Sequence, residues 1–149
     1  MMRTVALGLV FGAGLSLSAP APKEVPKKMS TILGQWQLVR TDGEDASFMR
    51  RYSCVEIFAP EGTHITEHRV GNEVSVERSK YVVEINGKKD HIDFPTENPK
   101  EIMKGIFKIE GNTLFICFQV KKGGARPKEF KFIEDETRLF EYKRIMPQK

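Results

Sequence analysis

Six glycine-containing pairs divide most of the chain into short pieces, and this spacing limits the fold more than any other feature. They are Asp42-Gly43, Glu61-Gly62, Gly71-Asn72, Asn86-Gly87, Gly111-Asn112 and Gly123-Gly124. Such pairs supply the positive φ that tight hairpins need. The expected strands are 34–41, 52–59, 63–69, 73–85 with a break near Ser79, 89–94, 104–110, 113–119 and 138–145, with 128–133 as a weaker ninth. Several alternate at period two. Leu114, Ile116 and Phe118 share one face, as do Phe107 with Ile109 and Phe140 with Tyr142 and Arg144. No segment beyond Gly34 carries a helical period over three turns. Short strands joined by close turns make a sandwich or a barrel. Sequential hairpins favour an antiparallel up-and-down barrel of about eight strands, which also removes aggregation-prone edges.

The first 31 residues read differently. Arg3 precedes an uncharged apolar run, Val5 to Leu17, followed by the small residues Ser16-Leu17-Ser18-Ala19. This is the pattern of a signal peptide covering residues 1–18, cleaved after Ser18. The run is shorter than the roughly 20 apolar residues of a membrane span. No cysteine follows it to accept a lipid. Residues 19–31 include the Pro-rich stretch PAPKEVPKK and read as an extended linker. The barrel domain is then 32–146, and the expected location is periplasmic or secreted.

Charge excludes one class of partner. The chain has 24 Lys and Arg against 20 Asp and Glu, a net charge of +4. Acids and bases alternate, as in Lys100, Glu101, Lys104, Lys108 and Glu110, so no basic stripe for nucleic acid forms. No Gly-rich phosphate loop is present, and no cofactor is expected.

Chemistry-bearing residues are sparse. His64 and His68 are four apart, and in a strand that is about 13 Å, too far to share a zinc ion. His91 and Asp93 point to the same side and are the only seed of an enzyme, but no third partner is visible. No metal site is expected. Cys54 and Cys117 belong to the second and seventh strands, which are not neighbours in a round barrel. Free thiols are therefore expected despite the oxidising compartment.

Gly34-Gln35-Trp36 opens the first strand and Arg144 lies in the last. A tryptophan there can plug one end of the barrel, with a guanidinium over its face adding about 0.5–2 kcal/mol. The pattern resembles lipocalin-type barrels, in which a G-x-W of the first strand packs against an Arg of the last at the closed end, and the resemblance implies Gly34, Trp36 and Arg144 as the closure. Further motifs follow in order: Asn98-Pro99-Lys100-Glu101-Ile102, then Gly105-Ile106-Phe107 through Glu110-Gly111-Asn112-Thr113-Leu114-Phe115-Ile116-Cys117, then Arg126-Pro127-Lys128-Glu129-Phe130. Together they resemble the secreted lipocalin-like domain abundant in planctomycete bacteria, over residues 32–145. Met103, Phe107 and Asn112 depart from that pattern, where Asp, Tyr and Asp are usual. The resemblance implies the fold and export. It implies no assigned activity, so no catalytic residue is carried over. Arg126 reads as structural, holding backbone carbonyls.

Three functions stay open. A barrel of this size holds side chains or one small ligand. Leu38, Phe107, Ile109, Phe115, Phe140 and Tyr142 would then line a cup for a small hydrophobic molecule. The alternatives are a cell-envelope interaction module with a filled barrel, and an enzyme using His91 and Asp93.

Overall fold

A computed structural model describes residues 32–42, 52–86 and 89–146. The expected signal peptide and the whole of the linker lie outside the described residues. The nine strands are β1 (Gly34–Thr41), β2 (Tyr52–Phe58), β3 (Thr63–Val70), β4 (Glu73–Lys80), β5 (Val82–Glu84), β6 (Asp90–Phe94), β7 (Met103–Glu110), β8 (Thr113–Gln119) and β9 (Thr137–Arg144). One short 3₁₀ helix, Pro99–Glu101, leads into β7. The strands form a single sheet in the order β4-β3-β2-β1-β9-β8-β7-β6-β5, with every ladder antiparallel. This is the expected all-β meander, with the first strand paired to the last. Among the described residues no helix is long and apolar enough to cross a membrane.

Local chemistry accounts for the turns. β3–β4 and β7–β8 are joined by Gly71-Asn72 and Gly111-Asn112, with φ of 59° at both glycines. Neither asparagine has positive φ. Only the first central residue needs that freedom in a II′ turn, and its twist matches the flanking strands.

The structure differs from the expected barrel in three places. The long strand 73–85 breaks at Tyr81 rather than near Ser79. Tyr81 is buried and donates its backbone N–H to Gly62 O (3.0 Å) and its hydroxyl to Ala59 O (2.8 Å). Its ring meets Phe58 edge-on. Anchored this way, Tyr81 hands the chain from β3's partner, β4, to β6's partner, β5. Second, β4 and β5 are the outer strands of the sheet, so the ring has a seam there. The sheet nevertheless curls until His64 of β3 and Phe94 of β6 meet across the seam, ring centres 4.7 Å apart. Third, 128–133 forms no strand, only an isolated bridge from Ile133 to Thr137.

That last segment packs on the outer face of the sheet. Cys117 points outward and its thiol reaches Lys131 O at 3.6 Å. Arg126 holds Asp93 of β6 through two bonds of 2.5 and 2.8 Å and Gly105 O of β7 at 2.6 Å. The fork geometry fits a carboxylate and adds orientation to charge. It ties the 125–136 crossing to two strands.

The core fills one end. Trp36 is fully buried and its indole N–H donates to Ile32 O at 2.8 Å. The Arg144 guanidinium lies 4.0 Å from the Trp36 ring centre and donates to Leu33 O at 2.8 Å. Gly34 has φ of 116°, and a Cβ there would come within 3.2 Å of the same guanidinium. Ile32, Phe107, Leu114 and Tyr142 complete this packed floor, with Ile109 against it.

Candidate functional site

Above the floor the interior is not filled. A cavity of about 650 Å³ opens there, within the range that holds one small ligand. Its two walls are built from different residues.

The β1 and β6–β9 wall is mainly apolar, with Thr41, Gln119 and Arg138 also on it. Leu38, Phe94, Met103, Ile116, Phe118, Phe140 and Tyr142 face the cavity. Phe94, Phe118, Phe140 and Tyr142 follow one another with ring centres 5.3–6.3 Å apart. Phe58 and His64 extend this chain of rings around the floor, stacked at 4.9 Å.

The β2–β3 wall is polar. Tyr52, Cys54 and Glu56 point inward from β2, and His64, Thr66 and His68 from β3. Period two places each set on one face. The ladder then sets them opposite one another, Cys54 with His68, Glu56 with Thr66 and Phe58 with His64. Glu56 is the hub. It accepts bonds from His64 Nε2–H, from the Thr66 hydroxyl at 2.9 Å and from the Cys54 thiol at 3.4 Å. A carboxylate only accepts, so Nε2 of His64 carries a proton. Nδ1 of His64 lies 3.1 Å from the Ser79 hydroxyl of β4. Nearer the mouth, the Tyr52 hydroxyl bonds Nδ1 of His68.

Burial raises one thiol and two phenols that face the cavity. Burial first, and then the Glu56 charge, push the Cys54 thiol up to about 12. Burial likewise raises Tyr52, with Cys54 the next cause, and raises Tyr142 well above the ordinary phenol range. These groups hold their protons. A thiol held protonated is a poor nucleophile, so Cys54 is placed as a wall residue rather than a reactive one. Both cysteines are free, and they lie on opposite faces of the sheet.

The residues anticipated as ligand-lining divide. Leu38, Phe140 and Tyr142 face the cavity. Phe107 and Ile109 point inward but belong to the packed floor beneath it. Phe115 corrects the expectation outright. Its neighbours Leu114 and Ile116 face the core, so alternation turns Phe115 outward, where the Lys108 ammonium lies 4.8 Å from its ring centre. Gly34, Trp36 and Arg144 meet at the floor as described. His91 and Asp93 alternate with buried Ile92 and Phe94 and so face outward. His91 contacts Glu84 at 3.3 Å and Asn86 at 3.0 Å, while Asp93 is held by Arg126. That pair therefore lies outside the cavity described above. Among the described residues no three His, Cys, Asp or Glu side chains converge as a metal site.

Sequence reasoning missed the polar wall. Its signal was the pair of alternating runs Tyr52-x-Cys54-x-Glu56-x-Phe58 and His64-x-Thr66-x-His68. The opposite parity mixes Val55, Ile57 and Ile65 with Ser53, Thr63, Glu67 and Arg69, and its three apolar residues face outward, half-buried.

No family model and no curated protein matches the chain. Among solved structures it is similar to fatty-acid-binding protein 1 of Echinococcus granulosus, at 10% identity and a TM-score of 0.46, covering 79% of this chain and 100% of that one.

Proposed function

We propose that this chain is an exported binding protein that takes one small, largely apolar molecule into its cavity. One observation carries this reading: the interior is filled only at the Trp36 floor, and about 650 Å³ above it is left open beneath a wall of Leu38, Ile116, Phe118 and Phe140. Protein interiors are otherwise closely packed, and an open volume of this size beneath apolar side chains suits one small apolar guest. Export is supported by the charged start, apolar run and small residues of 1–18. The rival reading, a display module with a solid core, needs an interior packed to the mouth.

Uptake of Nile red, a neutral apolar dye, tests the binding reading. The dye brightens and shifts to the blue in the wild-type protein, and Ile116→Trp, which places an indole inside the cavity, weakens uptake at least tenfold. Wild-type protein that leaves the dye in water overturns it. Recovery of a chain beginning at Ala19 from outside the cytoplasm checks export.

A further inference from the structure

We infer that the ligand carries a basic nitrogen as well as an apolar body, and that its ammonium group docks on Glu56. This deepens the reading above and rests on the cavity being a binding site.

The argument starts from what Glu56 lacks. Its side chain is only 12% exposed and lines the cavity beside the floor, opposite Trp36 in the β1–β2 ladder. Its recorded partners are His64, Thr66 and Cys54, and no lysine or arginine is among them. A carboxylate offers about four acceptor positions. Oε2 receives both His64 and Thr66, whereas Oε1 receives one thiol, a weak donor, at 3.4 Å. Acceptor capacity therefore remains on Oε1, in a place where charge is expensive to leave uncompensated.

The surroundings favour a cation over other polar groups. Phe58, Phe94, Phe118, Phe140 and Tyr142 line the same space. Ring faces attract ammonium groups, more strongly once water is excluded. The other charged residues lining the cavity are Glu77 and Arg78 at the β4 edge of the seam and Lys122 and Arg138 near the mouth. Glu77, Arg78 and Lys122 are solvent-exposed and Arg138 is half-exposed, so salt screens them. Near the floor the fixed ionisable side chains are thus the Glu56 carboxylate, with the His64 imidazole on its Oε2, and His68 further up the wall, with no lysine or arginine. A ligand carboxylate at that depth would place two acids together in a medium that screens poorly. An alcohol would donate to the carboxylate but leave its charge uncompensated. An ammonium donates and compensates that charge as well.

Decylamine, decanol and decanoate share one chain and differ at the head group. Each competes with Nile red for the wild-type protein. The expected order is decylamine tightest by about tenfold over decanol, with decanoate weakest. In Glu56→Gln the advantage of decylamine over decanol disappears, while decanol itself changes less than twofold. Decanoate binding as tightly as decylamine overturns the inference, as does decanol matching decylamine in the wild type. In those cases the cavity still binds, and only the amine assignment falls. If none of the three displaces the dye, the binding reading falls as well. The wild-type series decides the matter even if Glu56→Gln folds poorly.

Discussion

The Trp36 floor and the β2–β3 wall are both buried, yet they are held by opposite chemistry. At the floor, apolar residues face inward and fill the space: Ile32, Trp36, Phe107 and Leu114, with Arg144 laid over the indole. On the wall, Glu56, His64, Thr66 and Cys54 face inward and an open volume lies before them. The floor obeys the usual pattern, in which burial, packing and strand alternation agree. The wall inverts it, with Val55, Ile57 and Ile65 turned outward. A protein can afford such an inversion only where every inward polar group finds a partner. The comparison assigns stability to the floor and selectivity to the wall.

Trp36→Ala tests the first assignment and should have the largest effect. Removing a fully buried indole costs about 3–5 kcal/mol in cores of this kind. The substitution also removes the surface under Arg144 and the donor to Ile32 O. Urea denaturation should register that loss, while the Nile red affinity of the folded fraction stays within about threefold, a shift well under 1 kcal/mol. A loss of dye binding as large as the loss of stability would show that floor and cavity are one cooperative unit.

Glu56→Leu probes the wall, with a smaller expected cost. It strands the His64 N–H and the Thr66 hydroxyl, and unsatisfied buried donors cost about 1–3 kcal/mol. Adding His64→Phe to the same chain removes one stranded donor and keeps a ring between Phe58 and Phe94. The double variant should therefore be more stable than Glu56→Leu alone. Additive losses in that cycle would mean that the hydrogen bonds do not hold the wall.

This contrast also explains what could be read from the sequence. The strands were legible because glycine pairs and period-two runs are local signals, and the ladders fall almost where those signals place them. Trp36 and Arg144 were legible because a tryptophan entering a first strand has few other places to go. The seam was not, since it depends on Tyr81 finding Gly62 and Ala59, contacts that no local pattern announces. The polar wall was not legible either. Neither parity of β2 or β3 is cleanly apolar, since Tyr52 and Phe58 face inward while Val55, Ile57 and Ile65 face outward, so alternation gives no contrast there. Phe115 failed for a related reason: on β8 both parities are largely apolar, because Cys117 and its neighbours are covered from outside by the 125–136 crossing. Alternation then loses its contrast.

The wall's acidity gives the smallest effect and the sharpest sign. Cys54 is held protonated up to about 12, against an ordinary thiol value of 9.0. Below pH 9 the thiol keeps its proton in both folded and unfolded chains, so it adds no pH dependence. Above pH 9 the unfolded chain releases that proton first. Stability from this group is therefore full below about 9 and is lost as the pH rises toward 12. The slope for one group cannot exceed about 1.4 kcal/mol per pH unit. Tyr52 is shifted the same way, so the wild-type protein should weaken on both accounts. Cys54→Ser removes the thiol part and leaves the tyrosine part. Urea midpoints taken at neutral pH and between pH 9 and about 11 should fall less steeply for Cys54→Ser than for the wild type. Equal slopes would mean that water reaches the thiol freely, which would make the inner wall a wet surface rather than the desolvated face on which an ammonium group gains most from Glu56.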